Sequence, residues 1–218
     1  MKNVIPFLED LNNNNHRDWF QANKKRYLEA KDEFEAFINA LIPKLGDIDK
    51  DIAGLEPRQC IFRIYRDVRF SKDKSPYKIN MGAAMTRGGR KNPYATYYVH
   101  IEPGNVFAGG GIWMPPAPVL KAMRQEIYYN ADEFKGIVES LAFARYFKKL
   151  EGESLKRPPR GFPVDFADID LLKHKSYIVA VGIDDAIVSS DAFTEKLLDV
   201  YSALYPFNTF INRALTDI

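Results

Sequence analysis

Tyr94-Ala-Thr-Tyr-Tyr-Val-His-Ile-Glu102 is the stretch on which the fold turns. Ala95, Tyr97, Val99 and Ile101 fall on one side of an extended chain, and Tyr94, Thr96, Tyr98, His100 and Glu102 on the other. This alternation predicts a strand. Pro103-Gly104-Asn105 follows as a short turn, so Val106–Trp113 returns as its antiparallel partner. Ile79–Met85 makes a weaker strand. Gln59–Tyr65 alternates Cys60, Phe62 and Ile64 with Arg63 and Tyr65. Ser176–Ile183 is apolar on both faces, the pattern of a central buried strand. Connections this short favour an antiparallel sheet over βαβ units.

Helical patterns flank this core. Val4, Phe7, Leu8 and Leu11 recur at helical spacing, and Asn12–Asn15 end that helix, since asparagine prefers turns. Asp18 and Gln21 have the spacing of a capping box, from which a stripe runs through Trp19, Ala30, Phe34 and Leu41 until Pro43 and Gly46. Pro115–Pro118 introduces another helix, with further helical stretches to about residue 150. Asp191–Leu204 is amphipathic and predicted to end at Pro206, with a last helical piece beyond it. No repeat or linker divides the chain. The expectation is one α+β domain over residues 1–218, with an antiparallel sheet of about four to six strands. Its helices lie at about 4–45, 117–150 and 191–215, and its sheet core at about 59–113 plus 176–183.

The 218 residues are 46% apolar and 28% charged, enough for an ordinary globular core and against wholesale disorder. Cys60 is the one cysteine, which excludes an internal disulfide and a cysteine-based zinc site. His100 and Glu102 could supply two metal ligands, too few for a site, and His16 and His174 show no partner spacing, so neither metal nor cofactor is expected. No apolar run reaches the ~20 residues needed to span a bilayer, and no signal-peptide core opens the chain. A cytoplasmic protein with no membrane partner is expected.

Charge is unevenly placed. Between Pro57 and Lys91 stand ten basic residues and two acidic ones, a net +8; the other 21 basic and 27 acidic residues net −6. Such asymmetry points to an anionic partner, or to acidic flanks that fold back over the basic segment. The focus is Arg63-Ile-Tyr-Arg66-Asp67-Val-Arg69-Phe70-Ser-Lys-Asp73-Lys74-Ser-Pro-Tyr77-Lys78. On a strand, Arg63, Tyr65, Asp67 and Arg69 would share a face, and Arg66 would fall with Phe62, Ile64 and Val68, buried and partnered. Two readings stand: an arginine–carboxylate lattice built on Asp67 and Asp73, with Arg66 and Asp67 mostly buried, or a site for phosphate or carboxylate, which the planar guanidinium binds bidentately.

The pattern R-x-Y-R-D-x-R-F-x-x-D-K-x-P-Y-K resembles that of a bacterial family catalogued as domain of unknown function 2461, also found within longer fungal proteins. Asn14, Asn15, Trp19 and Phe20, Gly109–Gly111 with Trp113, and Arg157-x-x-Arg160-Gly161-Phe162 extend the resemblance over nearly the whole chain. It implies an intact single domain, with no activity and no catalytic residue to carry over.

The remaining constellations are weighed on their chemistry. The Pro-stiffened Arg157–Arg160 loop either closes over an anion or merely connects, with Phe162 packed on the core. Tyr98, His100 and Glu102 project from one strand face, where His100 and Glu102 could act as acid and base. Gly109–Gly111 lacks the order of a phosphate loop and marks a close backbone approach, with Trp113 beside it for a flat ligand to stack on. Cys60, between apolar neighbours, is a buried small hydrophobe. Ser71 and Lys74 match a Ser–Lys spacing without helical register.

The leading expectation is a pocket for a phosphate- or carboxylate-bearing small ligand, in a binding protein or an enzyme. Arg63, Arg66, Arg69, Lys74, Lys78 and Arg160 would hold the anion, Trp113 the apolar wall, and Tyr77, Tyr98 and His100 would be the proton-transfer candidates. The alternatives are a nucleic-acid-binding module using residues 57–91, and an interaction domain whose arginines are structural. The acidic flanks weigh against nucleic acid, whose binders are usually more basic.

Overall fold

In the computed structural model, which describes residues 1–216, four strands form one antiparallel sheet in sequence order. They are β1 (Met81–Thr86), β2 (Thr96–Ile101), β3 (Phe107–Ile112) and β4 (Tyr177–Gly182). Helices α1 (Val4–Asn13), α2 (Arg17–Ala22), α3 (Lys24–Ile48) and α4 (Pro57–Cys60) precede the sheet. Between β3 and β4 come α5 (Ala117–Tyr129), α6 (Ala131–Val138), α7 (Leu141–Ala144) and α8 (Ile169–Leu172), and α9 (Asp191–Arg213) follows β4. The chain is a single α+β domain, and no described helix is long and apolar enough to cross a membrane.

Strand register divides the side chains between two faces. Met85, Tyr97, Gly110 and Val179 form one cross-strand row; Ala83, Val99, Ala108 and Val181 form the next. This is the apolar face of β2, and α9 covers it. The Tyr97 and Tyr201 rings meet edge-on at 5.4 Å, the Tyr201 hydroxyl donates to the Tyr98 carbonyl at 3.0 Å, and Asn208 Nδ2 donates to the Thr96 carbonyl at 3.1 Å. The Tyr97 hydroxyl donates to buried Asp49 at 2.8 Å. Burial and that carboxylate together push the Tyr97 hydroxyl well above the usual tyrosine range.

Four local readings of the sequence are corrected. Residues 59–66 are not a strand: Pro57 opens α4, Glu56 and Gln59 close a capping box around its first turn, and only isolated bridges follow, from Ile61 to Ala83 and from Tyr65 to Tyr77. The cap of α2 is His16, whose ring accepts from the Trp19 amide at 3.3 Å, rather than Asp18. Pro43 and Pro206 lie inside α3 and α9, which run on to Ile48 and Arg213. A proline forfeits one helical hydrogen bond, but the buried Leu45 beyond Pro43, and Phe207, Phe210 and Ile211 beyond Pro206, anchor the continuing turns. Finally, β4 is an edge strand, paired with β3 alone within the sheet and bridged outside it by Glu151 to Ile178. Its apolar residues are shared between α9 on one side and a cavity on the other.

Glycines at β3 are a steric requirement. A Cβ on Gly110 would collide with the Thr96 carbonyl oxygen and lie 2.6 Å from Leu204 Cδ2, and Gly111 has φ +98. Gly110→Ala is therefore expected to cost at least about 3 kcal/mol in a urea melt. Gly136, inside α6 with open space where its Cβ would stand, is the contrast: Gly136→Ala should stabilise by up to about 1 kcal/mol.

Candidate functional site

The second face of the sheet is built from small residues. Ala84, Tyr98, Gly109 and Ala180 form one row across all four strands, flanked by Thr86, Thr96, Gly111 and Ile178. Gly82, His100, Phe107 and Gly182 form the next row. With so little side-chain volume over the middle rows, the face opens into a cavity of about 790 Å³. Phe62, Tyr98, Phe107 and Trp113 give it aromatic walls, and Trp113 is 67% exposed at its rim. Met114 beside it holds φ 45, unusual for a side-chain-bearing residue, with its amide donating to Ser176 Oγ at 2.9 Å.

One wall is cationic. Lys78 Nζ lies 5.3 Å and the Arg90 guanidinium 5.7 Å from the centre of the Phe62 ring. Arg90 donates to the Arg58 carbonyl at 2.8 Å. Burial depresses the Lys78 ammonium below the usual lysine range, and the charges of Arg63 and Arg90 depress it further. Neither Lys78 nor Arg90 is ion-paired to a carboxylate among the described residues, whereas exposed Arg63 acts on Asp67; the cavity's one acidic residue, Glu151, reaches it from the β4 side.

Beside this wall, β2 presents a connected array. The Tyr98 hydroxyl is 3.0 Å from His100 Nδ1, His100 Nε2 is 3.0 Å from Glu102 Oε2, and Asn105 Nδ2 donates to the same Glu102 oxygen at 2.8 Å. The residues alternate along a strand, so all three project from one face. The imidazole stacks on Phe107 with centres 4.5 Å apart, and Tyr98 meets Phe62 edge-on at 6.2 Å. Burial, with a smaller effect of Glu102, pushes the Tyr98 hydroxyl up to about 12.

The other motif residues serve the loop that carries them. Arg66 is ion-paired to Asp73 and donates to the Ser75 carbonyl at 3.1 Å, while Asp73 accepts from the Ser75 amide and hydroxyl at 2.9 and 2.6 Å. These bonds hold the Asp73 carboxyl down to about 2, the Ser75 contacts contributing most. Arg69 grips Asp67 with two nitrogens at 2.9 and 2.7 Å, and Lys74 donates to the Val68 carbonyl at 2.9 Å. Arg66 retains 25% of its side-chain exposure, but Asp67 is 46% exposed. The expected burial of Asp67 thus fails, because 63–70 lies on the surface as a loop rather than in the sheet.

Tyr77 is buried and stacked on Phe20 at 3.9 Å, outside the cavity. Arg160 is exposed on a loop that rests on α5 through Phe162 against Tyr128. No hydrogen bond or ion pair joins that loop to residues 63–78 among the described residues. Cys60 is buried, and its thiol is pushed up to about 11. Sequence reasoning thus identified Lys78, Tyr98, His100 and Trp113 as cavity or array residues, and named Arg63 beside them. It passed over Arg90, Asn80, Thr86, Thr96 and Glu151, although alternating small residues on β1 and β3 are a legible sign of a hollow face.

Asn15 fastens the motif loop to the helices. Its amide donates to the Tyr77 carbonyl at 2.9 Å and its oxygen accepts the Tyr77 amide at 3.1 Å. Asn15→Ala should cost about 1–2 kcal/mol in a denaturant melt. Asn13→Ala, at an exposed helix end, should stay within about 0.5 kcal/mol.

No curated protein and no solved structure matches the chain. One family model does match, described as a conserved hypothetical protein (DUF2461), and it spans residues 3–210. With nearly its whole length aligned, the chain belongs to that family, whose description carries no activity.

Proposed function

We propose that this protein binds a small planar ligand bearing a phosphate or carboxylate group, seated on the open face of the sheet. The observation that carries this reading is the pair of cations, Lys78 and Arg90, set against Phe62 at the wall of a cavity of about 790 Å³ and in no ion pair with a carboxylate among the described residues. Partly buried cations that repel one another are costly unless an anion joins them. The glycine and alanine floor admits a flat ring, and Trp113 stands beside it to stack. Arg66 and Arg69 already hold Asp73 and Asp67, and they stabilise the loop that presents Lys78.

The cations converge on a hollow instead of spreading along a ridge, which favours a small ligand over a nucleic acid. Salt separates the two: a pocket displaces few counterions, whereas single-stranded DNA contacts many phosphates and weakens steeply with salt.

Phenyl phosphate should raise the thermal midpoint and alter Trp fluorescence. Arg90→Gln and Lys78→Met should abolish both responses, while Arg69→Ala should retain them. The pH dependence has a definite sign. Lys78 gives up its proton at lower pH than an ordinary lysine, so affinity should decline as pH rises into the alkaline range. Lys78→Arg, which keeps its charge, should remove that decline. A midpoint unmoved by phenyl phosphate, inorganic phosphate and benzoate alike would count against the reading.

A further inference from the structure

The geometry points to an activity: we propose that Tyr98, His100 and Glu102 act as nucleophile, base and orienting group, hydrolysing an aryl phosphate monoester through a phosphotyrosine at Tyr98. This rests on the anion-pocket reading above and adds the chemistry performed there.

Proton placement follows from the acceptors. A carboxylate can only accept, so the His100 nitrogen facing Glu102 Oε2 at 3.0 Å carries its hydrogen. In the neutral ring Nδ1 is then an acceptor, and the Tyr98 hydroxyl donates to it across 3.0 Å. The phenolic lone pairs are left for a partner outside the array. This is the order of a nucleophile held by a base that is in turn oriented by a third group. Phe107 fixes the plane of the imidazole, and Asn105 holds the Glu102 carboxylate. His100 and Glu102 keep only 12% and 22% of their side-chain exposure, so bulk water competes little for their hydrogen bonds.

Two neighbours assign the electrophile. The Tyr98 ring leans over Gly82, where a Cβ would stand 2.7 Å from the hydroxyl oxygen, so the β1 backbone lies close under the hydroxyl and only glycine at 82 leaves it this place. Phe62 meets Tyr98 edge-on, and the same Phe62 ring carries Lys78 and Arg90. The hydroxyl and the cations thus surround one aromatic side chain. Phosphoryl transfer asks chiefly for positioning and for positive charge around the transferred oxygens, and two cations suit a doubly charged phosphoryl group better than a carboxylate. The cavity's flat floor and Trp113 suit an aryl leaving group.

In the first step the Tyr98 oxygen forms a bond to phosphorus as the bond to the aryl oxygen breaks. The Tyr98 proton passes to His100 Nδ1 while Nε2–H keeps its hydrogen bond to Glu102, and the aryl oxygen, leaving in line on the far side of phosphorus, takes its proton from solvent water. In the second step a water attacks phosphorus from the side the aryl oxygen left and keeps its protons on the phosphate formed, the bond to Tyr98 breaks, and the imidazolium returns the stored proton to the phenolate. The balance is aryl phosphate plus water to phenol plus phosphate, with no oxidant, reductant or co-reactant. Glu102 touches no reacting atom and is a positioning residue.

The test uses the full chain with 4-nitrophenyl phosphate for turnover, and phenylphosphonate, which has no ester bond to break, for binding. Wild type should release 4-nitrophenolate, and an acid-quenched digest should show one added phosphoryl group on the Tyr98 peptide. Tyr98→Phe keeps the ring and should lose turnover and the adduct while binding phenylphosphonate within a factor of about 3. His100→Asn should lower turnover by about 10²-fold or more. Glu102→Gln should lower it less and move the acid limb of the pH–rate profile without weakening binding. Lys25→Ala, at an exposed position of α3 away from the cavity, should turn over as wild type does. Phenylphosphonate binding without turnover, or full turnover in Tyr98→Phe, would overturn the catalytic assignment and leave the pocket standing. Failure of phenylphosphonate to bind wild type would overturn both.

Discussion

The carbonyl oxygens of β2 and β4 leave no room for a side chain on Gly109, Gly110 or Gly111, and the arrangement of the whole domain follows from that exclusion. On the α9 side the missing volume is recovered, because Leu204 presses directly on Gly110. On the other side nothing recovers it. Ala84 and Ala180 continue the bare row to both edges of the sheet, and so a face that could have been packed remains a hollow. Close packing is the rule for protein interiors, and a face this bare forgoes apolar burial that larger side chains would supply. The loss is offset on the helical face, where Tyr97, Tyr201 and Phe207 are fully buried.

The same economy explains how ten basic residues coexist within thirty-five positions. They divide by partner. Arg66 and Arg69 pair with the segment's two acids, and Lys74 with a backbone carbonyl, so the exposed loop is tied mostly to itself. Asn15 and the Phe20–Tyr77 stack then dock that loop on α1 and α2. Arg63 acts on Asp67, and the N-terminal flank supplies Glu56 to Arg58 and Asp51 to Arg87, whereas Lys78 and Arg90 form no ion pair with a carboxylate among the described residues. The arginine–carboxylate lattice is thus present at Arg66 and Arg69, and the anionic partner belongs to the proposal.

Legibility in the sequence followed the range of the forces involved. β2, its turn and β3 could be read because alternation and turn chemistry act over a few residues. The helix ends at Pro43 and Pro206 were misread because proline is a local signal, overruled by side chains such as Phe207 and Phe210 packing from far along the chain. Residues 59–66 misled for a related reason: Cys60, Phe62 and Ile64 alternate, but Pro57 and the Glu56–Gln59 box commit the segment to a helical turn first. Tyr98, His100 and Glu102 were visible as a set because one strand carries them. Arg90 was not visible as their neighbour, since its place depends on a loop return that brings its amide to the Gln59 carbonyl at 3.1 Å.

Lys78 and Tyr98 ordinarily titrate within a fraction of a unit of each other, near 10. Here burial drives them in opposite directions: the ammonium is lowered, with Arg63 and Arg90 adding to the effect, and the phenol is raised to about 12. Environments that separate two such groups are how a site fixes which one gives and which one keeps a proton. The wall holds its lysine charge loosely, and under the proposed function a dianion would strengthen that charge by Coulomb attraction, opposing the burial and the neighbouring cations that depress it. Tyr98 receives no such help and keeps its proton until a base removes it, and the base in contact is His100. Under the proposed function, an anion on the wall and a proton transfer at Tyr98 would therefore be linked events: the ligand would complete the electrostatics of the wall, and only then would a phosphorus atom stand where the loss of the phenolic proton has a use.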